Sequence, residues 1–396
     1  MMSRIRSRAV VAMIVAVWSA SALGARMVSL DGLLQPYLER YGLPAIAAAA
    51  AKSGRIVGAG AVGTRVIGAR IPVTLNDRFH IGSDTKAMTA LLAAMLVEQR
   101  KLRWDSTVGE VFPELSAGMD PGVRAVTLAQ LLSHTGGFPS DNEAFGNLLT
   151  QVMQREDADL DEMRYWMVQQ WVKQPLASQP GTTFAYSNMG YTLVGAMLER
   201  ATGTSWDELI HMRLFEPLEL GSAMLGCQAT IGRVDAPLGH AEVGGRLRPF
   251  HAGPSCDNPP VIGPAGIVSL SVLDFARWAS WNAAEGARRP NLVRPETLRK
   301  LHTQVIAVPV RHAGKAGTPA QGGYAMGWGR VSVDWAPQPL LQHTGSNTKN
   351  LAQAWVDVPH DFALVLVTNV GGERAEAALR DAAAMLYRKF EPQPAR

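Results

Sequence analysis

Two segments of the chain set a serine three positions before a lysine: Ser83-Asp84-Thr85-Lys86 and Ser346-Asn347-Thr348-Lys349. A serine hydroxyl is a poor nucleophile until a neighbouring base takes its proton. Lysine can be that base where desolvation lowers its pKa. The four-residue match decides nothing alone, because a chain of this size holds about one by chance. Context separates the two. Residues 87–98 are strong helix formers with an apolar stripe through Met88, Leu91, Leu92, Met95 and Leu96. Ser83 and Lys86 therefore open a helix and share one of its faces. The helix N-terminus also supplies a free backbone N–H and a positive dipole end where an oxyanion would form. Ser346 follows a glycine at the edge of a strand-like region, where positions i and i+3 point to opposite faces. The spacing thus predicts Ser83 as nucleophile and Lys86 as its base, and leaves the second match a decoy.

Two further motifs extend this chemistry. Tyr186-Ser187-Asn188 is the only Tyr-x-Asn in the chain. A tyrosine beside a lysine can share its proton and relay it to a leaving group, and Asn188 offers an amide to orient a substrate carbonyl. His343-Thr344-Gly345 reads as preceding a strand, with Gly345 letting a substrate close to the backbone. The N–H of Ser346 is a second candidate oxyanion donor; removing one such donor costs on the order of 10²–10³ in rate.

Together these three motifs resemble the active-site signature of the serine β-lactamase and penicillin-binding-protein superfamily. The match is to its class C-like branch, which includes carboxylesterases and D-amino-acid-specific peptidases and amidases. Phe79-His80-Ile81-Gly82, Leu131-Leu132-Ser133-His134-Thr135-Gly136-Gly137, Gly263-Pro264-Ala265-Gly266 and Gly327-Trp328-Gly329 match as well. The similarity runs from residue 30 to residue 386. It implies an α/β sandwich of an antiparallel sheet and a helical domain, with the site between them. It also implies acyl-serine hydrolysis by Ser83, Lys86 and Tyr186. β-Lactamases and D,D-peptidases usually begin the third motif with lysine, whereas this chain has His343, which is neutral much of the time near pH 7. That tilts the expectation toward an esterase, or an amidase or peptidase acting on D-amino-acid substrates. A β-lactamase or D,D-peptidase of cell-wall metabolism is the alternative, and a non-catalytic binding module with this fold the third. Ser140-Asp141-Asn142, 57 positions after Ser83, imitates a motif of class A β-lactamases. Here it reads as a loop or a helix N-cap, and His134 as a structural residue bonding loop backbone.

The elements that must position these groups follow from periodicity. A helix is expected over 30–41 and a hairpin over 45–51 and 55–62. Helices follow over 87–98, 128–132, 163–172, 191–202, 207–215 and 273–281. Strands return over 327–333, 352–358 and 362–369, before a last helix over 373–390. This is an α/β (α+β) chain: an antiparallel sheet from the N- and C-terminal strands with flanking helices, plus an all-helical subdomain inserted at about 85–285.

The N-terminus reads differently. Arg4, Arg6 and Arg8 precede an apolar run from Ala9 to Val17 and then small residues through Ala25. That is the pattern of a cleaved signal peptide over 1–25, leaving a domain over 26–390 and a short tail over 391–396. The expected location is periplasmic or secreted, with no stable membrane anchor after cleavage, since the apolar run is short of the roughly 20 residues a span needs. Losing those three arginines takes the formal net charge from +4 to +1, so no nucleic-acid footprint remains. Cys227 and Cys256 bracket a Gly- and Pro-rich stretch. In an oxidising compartment they would close it as a disulfide, two buried thiols being the other reading. No HExxH motif or spaced ligand set calls for a metal or other cofactor. The expected partner is a small-molecule or peptide substrate.

Overall fold

The computed structural model describes residues 27–155, 158–253, 255–308 and 322–390; the expected signal segment and the tail lie outside them. The hairpin Ala45–Lys52 and Arg55–Gly63 pairs with Phe362–Thr368, and Leu351–Asp357 and Leu340–Ser346 follow in antiparallel order. Thus the two ends of the chain share one sheet, as the sequence implies. Three short strands, Gly329–Val331, Gly322–Tyr324 and Ile306–Val308, extend one edge, and Val28–Ser29 adds a parallel strand at the other.

Side chains on a strand alternate between faces, and here both faces are dry. Ala45, Ala47 and Ala49 pack with Phe275 and Trp278 of the helix Val272–Ala283. Ile46, Ala48 and Ala50 pack with Leu34 of the helix Asp31–Tyr41 and with Leu379 and Leu386 of the helix Glu373–Phe390. This explains an alanine run in a strand despite its low β propensity: with a helix layer on each face, small side chains let both approach closely.

The helical side is organised around Thr85–Glu98, whose residues from Thr85 to Leu96 are all buried. The apolar stripe read from the sequence is therefore only part of a helix that is wrapped all round. Leu193 and Val194 of Asn188–Thr202, Met167 and Val168 of Leu160–Trp171, and Trp206 belong to the same core.

Several boundaries differ from the sequence reading. The helix expected over 207–215 is an α-helical turn, Trp206–Ile210, continued by a π-helical one, His211–Phe215. The strand expected over 327–333 shrinks to Gly329–Val331, since Gly327 takes a left-handed φ of 82° and turns the chain. His343-Thr344-Gly345 lies inside the strand Leu340–Ser346 rather than ahead of one. The polar Gln342 and His343 hide that strand from a hydrophobic pattern, although both are buried. Cys227 and Cys256 are joined as a disulfide with Cα atoms 5.9 Å apart. Among the described residues no helix is long and apolar enough to cross a membrane, and no group of three or more His, Cys, Asp or Glu residues could hold a metal ion.

Candidate active site

Ser83 sits in a short 3₁₀ turn, Gly82–Asp84, that runs directly into the helix Thr85–Glu98. The Thr85 hydroxyl donates to Gly82 O at 2.7 Å and accepts from Val268 N at 3.2 Å, tying the turn to a neighbouring strand. On the other side, Gly82 N donates to His80 Nδ1 at 3.0 Å. His80 Nε2 stands 2.6 Å from Asp257 Oδ1. His80 therefore fixes the backbone that carries Ser83 and has no free nitrogen aimed at the hydroxyl.

One turn on, Lys86 Nζ lies 3.1 Å from Ser83 Oγ, 2.7 Å from Asn188 Oδ1 and 2.7 Å from Ala265 O. The lysine is fully buried, and desolvation lowers its pKa to about 7 against the pull of Asp141 and Asp84. Two of its three partners are carbonyl oxygens, which only accept. A neutral amine gives its two hydrogens to those oxygens and leaves its lone pair facing Ser83.

Tyr186 lies across the same ammonium, its ring centroid 4.7 Å from Lys86 Nζ. Its hydroxyl is buried without a fixed hydrogen-bond partner, and burial pushes its pKa up while the nearby Ser83 works the other way. The phenol thus keeps its proton at neutral pH, and of the two candidate bases only Lys86 is tuned to accept one. His134 frames this tyrosine: its carbonyl accepts from Ala185 N at 2.9 Å and its Nδ1 from Ser187 N at 3.2 Å. The structural role expected for His134 is the one it has.

Asn188 begins the helix Asn188–Thr202, which Ser187 caps by accepting from Gly190 N. Its side chain does something other than what the sequence suggested. Its carbonyl faces Lys86, and its NH₂ donates to Asp141 Oδ2. The amide expected to orient a substrate is engaged within the protein. Asp141 is the site residue that sequence reasoning missed. Asn142 beside it caps the helix Glu143–Val152, as expected of the Ser140-Asp141-Asn142 loop, but nothing in the local pattern says that Asp141 reaches a residue 47 positions away.

The far wall is the strand Leu340–Ser346. Two glycines meet there: a Cβ on Gly345 would stand 2.6 Å from Ser83 N, and one on Gly82 would stand 2.3 Å from Ser346 N. Only bare backbone fits at this approach, and Gly82 also needs its left-handed φ of 51°. The crossing brings Ser83 N and Ser346 N to one place, where an oxyanion hole needs two donors. Asp84 tucks behind it, 2.8 Å from that same Gly345 Cβ position, and burial pushes its carboxyl pKa well up. Burial also holds His343 at a pKa of about 3, with the charge of Lys86 adding to the effect. The neutral ring meets the Tyr324 hydroxyl at 3.1 Å through Nε2, so this strand motif brings no positive charge to the site.

The beta-lactamase family model matches residues 30–389. This chain belongs to that family. Its members include serine hydrolases, and the fold agrees: the chain superposes on a penicillin-binding protein homologue from Pyrococcus abyssi with a TM-score of 0.72, at 24% identity over 90% of this chain and 76% of that one. It superposes on the D-amino acid amidase from Ochrobactrum anthropi with a TM-score of 0.71, at 17% identity over 92% and 98% of the two chains. In sequence it is 29% identical to penicillin-binding protein 4 of Amycolatopsis lactamdurans over 77% of this chain and 75% of that protein.

Proposed function

We propose that the protein is an exported serine hydrolase that cleaves ester or amide substrates through an acyl-Ser83 intermediate. The observation that carries this reading is the three-way hold on Lys86: two acceptors fix its hydrogens and the third contact is the Ser83 hydroxyl. In acylation the lone pair of Lys86 takes the Ser83 proton as Oγ attacks the substrate carbonyl. The carbonyl electrons move to oxygen, where Ser83 N–H and Ser346 N–H receive the charge. The proton then passes through the Tyr186 hydroxyl, which gives one proton to the leaving group and accepts one from Lys86. Deacylation repeats the sequence with water in place of the serine.

Substrate choice rests on His343. A third motif without a fixed cation disfavours substrates that depend on a carboxylate, which supports esters or D-amino-acid amides ahead of β-lactams. Export rests on the basic, apolar and small-residue pattern of residues 1–25; the Cys227–Cys256 disulfide suits an oxidising compartment.

The test is a fluorophosphonate probe with a substrate panel of short-chain p-nitrophenyl esters, D-alanyl amides and nitrocefin. The probe is expected to label wild type and not Ser83→Ala, with esters or D-alanyl amides turned over fastest. Equal labelling of both proteins sinks the nucleophile assignment. Nitrocefin as the fastest substrate moves the reading to a β-lactamase, and a fast, persistent fluorescent penicillin adduct moves it to a D,D-peptidase.

A further inference from the structure

We propose that Asp141 is a positioning residue of this site, holding the Asn188 amide in the one orientation that accepts from Lys86. The proposal rests on the acyl-serine reading above and adds a residue to it.

The argument begins with the amide. Asn188 carries three groups that face outward from the helix start, namely its backbone N–H, its side-chain NH₂ and its side-chain oxygen. Asp141 takes the first through Oδ1 at 3.0 Å and the second through Oδ2. The oxygen is then left for Lys86 Nζ at 2.7 Å. Turned over, the amide would set its oxygen against the Asp141 carboxylate and its NH₂ against the lysine hydrogens, unfavourable at both ends. A carboxylate accepts only, so it selects between the two orientations where water, which can donate or accept, would not. Capping of the helix start accounts for the bond from Asn188 N and, through Ser187, for Gly190 N, but not for the side-chain bond from the Asn188 NH₂ to Asp141 Oδ2. The carboxylate also carries charge into the neighbourhood of the base.

The groups facing Lys86 come from every element packed around it. Asp84 lies on its own turn and His134 and Asp141 on the loop before the helix Glu143–Val152. Tyr186 and Tyr191 come from the segment around the start of Asn188–Thr202, and His343 from the strand Leu340–Ser346. His134 and His343 are both held toward the neutral form by burial, and burial likewise favours the uncharged acid at Asp84. Asp141 is exposed to solvent, and its charge works against the desolvation of Lys86. It therefore has two effects that separate experimentally: it orients Asn188, and it raises the proton affinity of Lys86.

The test compares Asp141→Asn and Asp141→Glu with wild type and Ser83→Ala on p-nitrophenyl acetate, a neutral substrate, across pH 5–9. Asp141→Asn keeps size and removes charge. It is expected to lower kcat on the order of tenfold by loosening Asn188, with KM little changed. It should also move the acid limb of kcat/KM down by about half a pH unit, because Lys86 loses an attractive charge. Asp141→Glu keeps the charge, so its acid limb stays where wild type has it even where the longer side chain lowers kcat. A wild-type kcat and acid limb in Asp141→Asn overturn the proposal. So does a defect confined to KM, which would make Asp141 a substrate contact instead. Hydrolysis persisting in Ser83→Ala defeats the acyl-serine reading itself, a separate result from either.

Discussion

The two Ser-x-x-Lys segments have identical spacing and opposite fates, and they touch. In the first, a 3₁₀ turn flows into an α-helix, so the half-buried Ser83 meets the fully buried Lys86 at 3.1 Å. In the second, a strand ends at Ser346 and the chain turns through Thr348 at a left-handed φ of 69°. There the Ser346 hydroxyl donates to Asn350 O at 2.7 Å and accepts from Thr348 N at 2.9 Å. Lys349 instead lays its ammonium over the Phe250 ring, 5.2 Å from the centroid. Spacing therefore specifies nothing until backbone geometry decides which way the side chains point. Yet the second segment is no bystander. Its Ser346 N–H meets the Gly82 turn, so one segment gives the site its side chains and the other gives it a backbone donor.

The largest effect expected from this comparison is at the two serines. Ser83→Ala abolishes ester turnover and fluorophosphonate labelling, because among the described residues Ser83 is the serine whose hydroxyl is hydrogen-bonded to Lys86 Nζ. Ser346→Ala keeps its N–H, and the loss of two turn hydrogen bonds costs about 1 kcal/mol each in stability, with kcat within a few-fold of wild type. Steady-state kinetics and a denaturant melt of the two variants check this; inactivity of a well-folded Ser346→Ala would mean that its hydroxyl, too, takes part.

Next in size is the base. Lys86→Met fills similar volume without a lone pair and lowers kcat by about 10²–10⁴, while probe labelling slows rather than vanishes. A Lys86→Met enzyme as fast as wild type would pass the role of base to Tyr186, against the upward push that burial gives its phenol.

The same lysine sets a pH dependence. A base must be unprotonated to work, and desolvation brings Lys86 down to about 7. Activity is therefore lost as pH falls through about 7 and retained above it. His343, already neutral across that range at a pKa of about 3, contributes no limb there. A kcat/KM profile flat between pH 6 and 8 would contradict the assignment, and Lys86→Met removes this limb if it belongs to the lysine.

The comparison also marks what the sequence could and could not say. The terminal strands, the nucleophile helix and the last helix were legible because their patterns are long and their burial periodic. The groups proposed to be catalytic were legible as motifs. The strand Leu340–Ser346 was read one step late because its buried positions Gln342 and His343 are polar. Short edge strands such as Gly322–Tyr324 carry too few residues to show a period. Asp141 was missed for a different reason: its contact with Asn188 is made by folding two loops together, and no local spacing encodes it. Likewise the engagement of the Asn188 amide depends on that contact, so its role was assigned to substrate in its absence.

The smallest expected effect lies at the second lysine. Lys349 is half-buried, its backbone N–H donates to Asn347 Oδ1 at 3.2 Å, and its ammonium lies over Phe250. Lys349→Ala leaves the backbone bond intact and removes only the cation–π contact, worth about 0.5–1 kcal/mol at such a site. The expected outcome is a small downward shift of the denaturant midpoint with unchanged kcat, KM and acid limb. Phe250→Ala in combination should add no further ammonium contribution beyond the loss of its own packing, a double-mutant cycle that isolates the pair. If Lys349→Ala instead lowered kcat by more than tenfold, the second segment would be supplying a side chain as well as a backbone donor. The difference between the two segments would then be one of degree.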